Sequence, residues 1–331
     1  MIGISRPHAA TAAITVGTMG AAAAGVTAIA ANVLFRFAID TQWKHSMFHQ
    51  AIIAPDRDEQ MAIGEAGEAC AWFDEAKQPV EITSRDGLNL HGWWFDPDSS
   101  APREHCYAIC VHGYTSKPLE SAKWGRRFAQ MGFTVFIPAQ RGHELSEGRY
   151  VGMGWLEHYD LSDWISYINS IDDQARILLY GGSMGASAVM MATGDAELPG
   201  NVVSAIAESG FTSARYEFMD TARSMFHMPK FFAAACVDAA SLVCKAHAGY
   251  SFSDASCVES LSHTTIPMLF IHGGDDNMVN AKYLDMNYDA CASADKRKLL
   301  VPGADHLVSS AVDPETYWNT VKGFVTDTFD R

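Results

Sequence analysis

The residues best suited to chemistry sit in ILLYGGSMGASAVMM, Ile177 to Met191, where a serine stands between glycines after an apolar run and before a run of small residues. Gly181, Ser183 and Gly185 spell G-x-S-x-G at what reads as a strand-to-helix junction. Such a sharp turn needs neighbours without bulk, and it lifts the serine Oγ clear of the backbone. A hydroxyl becomes a useful nucleophile only when a base takes its proton and an acid orients that base. The alternative is a plain glycine turn, so the rest of the chain has to supply the partners.

Two later segments do so, in the order serine, acid, histidine that this type of turn requires. The apolar run IPMLFIHG leads into GDDNMV, with Asp275 and Asp276 just past its end. KLLVPG leads into ADHLVSS, which presents His306. Ser183, Asp276 and His306 therefore follow three strand ends on the edge where a parallel sheet places its functional loops. Asp275 remains an alternative acid, Asp305 adjoins the histidine, and with 13 histidines in the chain one loop imidazole alone means little. Acyl transfer also needs donors for an oxyanion. The backbone N–H groups of Met184, next to the nucleophile, and of Tyr114, in the loop after CYAICVHG, suit that role. His112 reads as a structural side chain holding its loop.

The elements that must position these groups show in the patterning. VEITSRDGLNLHGWWFD, Val80 to Asp96, alternates around Asp86-Gly87 as a hairpin does. Trp93 and Trp94 read there as packing residues. Apolar runs at 106–113, 133–139, 176–181, 201–209, 266–273 and 297–303 then alternate with helical stretches at 119–132, 155–171, 183–194 and 314–329. Strands apolar throughout, interleaved with helices, predict an α/β fold whose mostly parallel, doubly wound sheet is covered on both faces and mixed at its hairpin edge. Residues 211–265 break the rhythm and predict a small helical insertion over the C-terminal edge. Its Phe218, Met219, Met225, Phe226, Met228, Phe231 and Phe232 either form an apolar pocket or pack as core.

The chain has 331 residues, 48% hydrophobic and 19% charged, a globular composition. A net charge of −15 argues against a nucleic-acid partner. No charged residue occurs from Ala9 to Phe35, a run long enough to cross a bilayer. Arg6 before it and Arg36 and Lys44 after it leave the orientation nearly balanced. The run reads as an anchor, with a signal peptide cleaved near Ala28-Ile29-Ala30 as the alternative. The seven cysteines, at 70, 106, 110, 236, 244, 257 and 291, show no C-x-x-C spacing, which excludes zinc-knuckle and thioredoxin-like readings. No disulfide framework is indicated; one bridge within Cys236, Cys244 and Cys257 stays open.

Taken together, VHGYTS, PAQRGHELSEG, GGSMGAS, FIHGGDDNMV and PGADH resemble the α/β-hydrolase superfamily, over about residues 80 to 330. Within it they resemble the bacterial branch of serine aminopeptidases, monoacylglycerol lipases and cinnamoyl esterases. ESGFTS and AGYSFSDAS further resemble hydrolases with an N-terminal membrane segment. In that family H-G-x-x-D-x-x-V supplies the acid from its fifth position, here Asp276. Two positions depart from the pattern: Glu144 stands in R-G-H-G-x-S where glycine is usual, and Ala186 follows the nucleophile motif. The resemblance implies a serine hydrolase acting on small to medium carboxylic esters without cofactor or metal. A peptidase or thioesterase is the enzymatic alternative, and a silent membrane-tethered binding module the non-enzymatic one. The expected organisation is an anchor or signal over 1–40, a linker and helical region over 41–79, and a hydrolase domain over 80–331. The expected location is the cell membrane, single-pass, with that domain extracytoplasmic, or secretion after cleavage.

Overall fold

The computed structural model describes residues 25, 27–49, 64–225 and 227–330. Most of the uncharged N-terminal run and Phe226 lie outside them. From Thr27 the run is a helix, α1 (Thr27–Ala38), whose Ala31 and Phe35 are buried against the main core. A second helix, α2 (Gly64–Ala76), precedes the hairpin β1 (Gln78–Thr83) and β2 (Asn89–Phe95). The hairpin turns through Gly87 at φ 88°, a left-handed conformation that suits glycine.

The alternating part follows as β3 (Cys106–Val111), α3 (Ala122–Gln130), β4 (Thr134–Pro138), α4 (Trp155–Ile171), β5 (Arg176–Gly182), α5 (Met184–Thr193) and β6 (Val202–Glu208). The insertion contributes α6 (Ala214–Met225), α7 (Lys230–Ala248) and α8 (Cys257–Leu261). The chain closes with β7 (Met268–Gly273), α9 (Lys282–Ala290), β8 (Lys296–Val301), α10 (Ser309–Val312) and α11 (Pro314–Phe329).

The eight strands form one sheet in the order β1-β2-β4-β3-β5-β6-β7-β8. β2 pairs antiparallel with both β1 and β4, and every later pairing is parallel. This is the α/β-hydrolase fold. Each face of the sheet carries its own apolar layer. Leu161, Trp164 and Ile165 of α4 with Val189 of α5 cover one side. Trp124 and Phe128 of α3 with Tyr317, Val321 and Phe324 of α11 cover the other. Burial on both faces explains why the central strands are apolar at successive positions rather than alternate ones. Every residue of α5 is buried, which accounts for its run of small and apolar side chains.

After β3 the chain steps to one side for β4 and then to the other for β5. The crevice at such a reversal lies beyond the C-terminal ends of the central strands. The ends of β3 and β5 are direct neighbours there, Val111 opposite Gly181. The loop after β3 and the turn after β5 therefore share one corner of the molecule.

Candidate active site

Ser183 occupies the turn between β5 and α5 with φ 57° and ψ −122°. That conformation is costly for a residue with a Cβ, and it persists where the surroundings over-determine it. Two glycines provide the enclosure. A Cβ on Gly181 would strike the Gly185 carbonyl, and one on Gly185 would strike the Val111 carbonyl of β3. The turn is thus clamped between its own helix and the adjacent strand. Ser183 N–H donates to Glu208 O at 2.8 Å, which tethers the turn to β6 as well. Ala186, the departure noted after the motif, is buried where a Cβ on Gly210 would touch its methyl at 3.1 Å. The extra methyl fills space away from the serine.

The expected acid and base lie in the loops that follow β7 and β8. Asp276 Oδ2 accepts from His306 Nδ1 at 2.8 Å, and its side chain is sealed from solvent. Oδ1 accepts the N–H groups of Met278 at 3.0 Å and Val279 at 2.8 Å. A second imidazole, His272, lies 3.3 Å from Oδ2 through Nε2, which also contacts Val279 O at 2.9 Å. Burial opposes ionisation of Asp276, but the bonds from His272 and His306, the charge of His306 and the Val279 N–H outweigh it. The carboxyl is held well below the usual carboxylate range. Asp275, the alternative acid, is exposed, and its N–H is spent on Ala304 O at 2.9 Å. Asp305 serves the loop: it accepts Asn277 Nδ2 at 2.8 Å and the His306 N–H at 2.7 Å, joining the two loops that carry acid and base.

β5 and β8 are three strands apart, about 14 Å at ordinary strand spacing. The histidine loop spans that gap by folding back over the sheet edge. A Cβ on Gly182 would lie 3.2 Å from Leu307 Cδ2, so the residue after His306 rests on the residue before Ser183. Leu307 adopts φ 55°, and Lys123 Nζ of α3 donates to its carbonyl at 2.6 Å. Ser183 and His306 line the same cavity. No hydrogen bond joins the serine hydroxyl to the imidazole directly, a looseness common before a substrate draws such pairs together.

Tyr114 and Met184 line the cavity beside them. Neither backbone N–H donates to any other backbone group among the described residues. The loop after β3 is held by His112, as expected from the sequence. Its Nδ1 donates to Gly113 O at 2.9 Å, its Nε2 accepts the Gln140 N–H at 3.0 Å, and its carbonyl takes a short bond from the Gln140 amide. Burial, reinforced by the neighbouring His143, keeps the His112 pKa well below the ordinary histidine value, so the ring stays neutral. Tyr114 OH donates to Ala38 O of α1 at 2.6 Å. Glu144 is exposed and outside the cavity, with φ 45° in the loop after β4. Arg141 in that loop is buried and forms a two-pronged pair with Asp160 at 2.6 and 2.7 Å.

The cavity has a volume of about 880 Å³. Its walls include Phe211, Phe218 and Phe252 of the insertion and Leu34 and Phe37 of α1. The insertion's aromatic and methionine residues thus divide. Phe218 and Met225 line the cavity, Met219 is core, and Phe231 is 80% exposed. All seven cysteines are free.

Sequence reasoning passed over three groups here. His272 stands in the same H-G-G-D-D segment as the acid, four residues before it, which was its available signal. Lys123 and Glu217, which also line the cavity, carry no local signal, because each is an ordinary charged residue on an amphipathic helix.

A sharp-turn serine, a carboxylate-paired imidazole and free backbone donors at the C-terminal rim of a parallel sheet define the class of hydrolase folds. The description "Alpha/beta hydrolase family" matches residues 108–318, more than half of the chain, and the chain belongs to that family. Among curated proteins it is similar to the uncharacterized protein YqkD of Bacillus subtilis, 25% identical over 255 residues, 77% of this chain and 81% of that protein. Among solved structures it resembles an esterase of Pyrococcus furiosus, with TM-score 0.60, 20% identity and coverage of 79% of this chain and 93% of that one. It also resembles an acylaminoacyl peptidase of Pyrococcus horikoshii, with TM-score 0.55, 18% identity and coverage of 76% and 42%. At these identities the two structures speak for the fold alone.

Proposed function

We propose that this protein is a serine hydrolase that cleaves carboxylic esters of small to medium size through an acyl-enzyme. Ser183 Oγ attacks the ester carbonyl while His306 Nε2 takes its proton. The tetrahedral oxyanion sits against the N–H groups of Tyr114 and Met184. The C–O bond to the alcohol breaks as the imidazolium returns the proton to that oxygen. Water, deprotonated by the same imidazole, then releases the acid and restores Ser183. Asp276 holds the imidazole tautomer and stabilises its charged form. Donors placed for the developing oxyanion contribute about 3 to 4 kcal/mol each in comparable enzymes.

The observation that carries this reading is the 2.8 Å contact between His306 Nδ1 and a carboxylate held ionised, opening onto the cavity that the strained Ser183 also faces. The largely apolar walls support acyl or aryl groups over charged ones. The test is hydrolysis of a chain-length series of p-nitrophenyl esters beside thioester and aminoacyl-amide substrates, with Ser183→Ala as control. Undiminished turnover in that control overturns the assignment. Absence of Ser183-dependent labelling by a fluorophosphonate would instead favour a silent binding module.

We also propose a cell-membrane location, with the uncharged run before Ala31 as a single-pass anchor, since Ala31 and Phe35 pack in the core, and the hydrolase domain outside the cytoplasm. The absence of charge along that run supports it. Retention of the full chain in carbonate-washed membranes, with protease sensitivity of the domain in intact cells, is the expected result. A soluble product beginning at Ala31 would establish cleavage and secretion instead.

A further inference from the structure

The end of the uncharged N-terminal run is built into the active site. The helix α1 divides its residues among different surroundings at helical spacing. Ala31 and Phe35, with Ile39 just past its end, are buried in the main core. Ile29 and Val33 are exposed. Leu34, Phe37 and Ala38, at the i, i+3 and i+4 positions of one face, line the cavity.

Bonds to distant parts of the chain fix this end of α1. Ile39 O accepts the Val151 N–H at 3.1 Å, and the Thr41 N–H donates to Arg149 O at 2.9 Å. Asp40, which is buried, takes the Arg149 guanidinium at 2.9 and 3.2 Å. Phe35 stacks on His247 at the end of α7, with ring centroids 5.5 Å apart. Ala38 O accepts the Tyr114 hydroxyl at 2.6 Å, so the helix end also holds the residue whose N–H is assigned to the oxyanion. A tether requires none of these contacts, whereas a wall that keeps its shape against a substrate requires them.

The order of the strands decides which part of a substrate this wall meets. β3 and β4 lie on one side of β5, and β7 and β8 on the other. The end of α1 is bound to the loops after β3 and β4, while His306 arrives from the loop after β8. A departing alcohol takes its proton from the imidazole and lies on that side. The opposite wall is left to the acyl portion.

We propose that Leu34, Phe37 and Ala38 form the wall against the acyl chain and limit the acyl length that the enzyme accepts. This rests on, and deepens, the ester-hydrolase reading of the same site. All three side chains are hydrocarbon, so they favour an aliphatic chain and bind no polar group. A chain beginning at residue 80 would lack this wall, and the segment that leads away from the proposed anchor is thereby part of the enzyme's specificity.

The experiment compares p-nitrophenyl butyrate with p-nitrophenyl octanoate for the full chain and its Leu34→Trp, Phe37→Ala and Val33→Trp variants. The readout is the octanoate-to-butyrate ratio of kcat/KM, in which any loss of folded enzyme cancels. Leu34→Trp fills the wall and should lower the ratio about 10-fold or more, as methylenes denied an apolar pocket lose their binding. Phe37→Ala removes bulk from the same face and should raise it about 3-fold. Val33→Trp adds bulk on the exposed face and should leave it within about 2-fold. Ethyl and hexyl butyrate, followed by alkali uptake, lengthen the alcohol by as much as octanoate lengthens the acid, and their ratio should stay within about 2-fold in Leu34→Trp. An acyl ratio unmoved in both Leu34→Trp and Phe37→Ala overturns the inference, as does an equal fall in Val33→Trp or a fall confined to the alcohol ratio. Should Leu34→Trp not fold, a Phe37→Ala ratio at or below that of the wild type overturns it. A full chain without Ser183-dependent turnover of any of these esters fails the ester-hydrolase reading itself, which keeps the two failures apart.

Discussion

Replacing Asp276 by asparagine removes one negative charge from the imidazole's partner and little else in volume. With Nδ1 and Oδ2 2.8 Å apart and charge spread over both groups, the charge centres of an imidazolium and this carboxylate lie about 4 Å apart. At an effective dielectric of about 20 that attraction is about 4 kcal/mol. In the working enzyme, whose base must be neutral to accept a proton, it arises once Ser183 has passed its proton to His306, so it acts on the transition state and not on bound substrate. At about 1.4 kcal/mol per factor of ten, kcat should fall about 10³-fold with KM little changed. The asparagine Oδ1 can still accept the Met278 and Val279 N–H groups, but its amide would face His272 Nε2, at a cost of about 1 to 3 kcal/mol in stability. The assay is steady-state hydrolysis of p-nitrophenyl butyrate, with urea denaturation to show that the variant folds. Asp275→Asn is the paired control, expected within about 2-fold of wild type because that side chain is exposed. A folded Asp276→Asn variant that loses less than 10-fold, or a larger loss in the Asp275 variant, would refute the reasoning.

Other expectations follow from the same geometry. Ser183→Gly should abolish hydrolysis yet stabilise the fold by about 1 kcal/mol in urea denaturation, because glycine accepts φ 57° without strain. Gly185→Ala would drive a methyl into the Val111 and His112 carbonyls and should cost about 3 kcal/mol or more by the same measurement. Lys123→Met removes the donor to Leu307 O, so kcat should drop about 10-fold with KM nearly unchanged, and amide exchange should quicken around His306. The folded Asp276 pKa is depressed, so its stabilisation is complete above the unfolded value of about 4 and is lost as pH falls toward the lower folded value. Between wild type and Asp276→Asn, the stability difference should therefore shrink on acidification below about pH 4 and hold level above it.

Much of the frame was legible in the chain itself. A strand buried on both faces must be apolar at successive positions, so β3 to β7 announce themselves, the edge strand β8 shows only its Leu299–Val301 end, and the helices between them leave a parallel sheet as the arrangement. The serine turn is legible for a related reason: Gly181 and Gly185 are required by contacts within and beside a local structure, and that demand is written at fixed spacing around Ser183. The hairpin's Gly87 belongs to the same kind of signal.

Other features depend on residues distant in sequence, and only the tertiary structure decides them. Asp275 and Asp276 are adjacent and chemically alike; the path of the loop after β7 buries one against His306 and His272 and leaves the other in solvent. The return of Leu307 onto Gly182, across three strands, is set by the folding of a loop and by Lys123 from another helix. The same holds for the cavity, where the end of an uncharged N-terminal run and a mid-chain insertion meet over the serine. Local patterning records what each segment needs from its immediate surroundings, such as burial, turn geometry and glycine. Which carboxyl meets which imidazole is determined by long-range packing, and no short stretch of sequence carries that information.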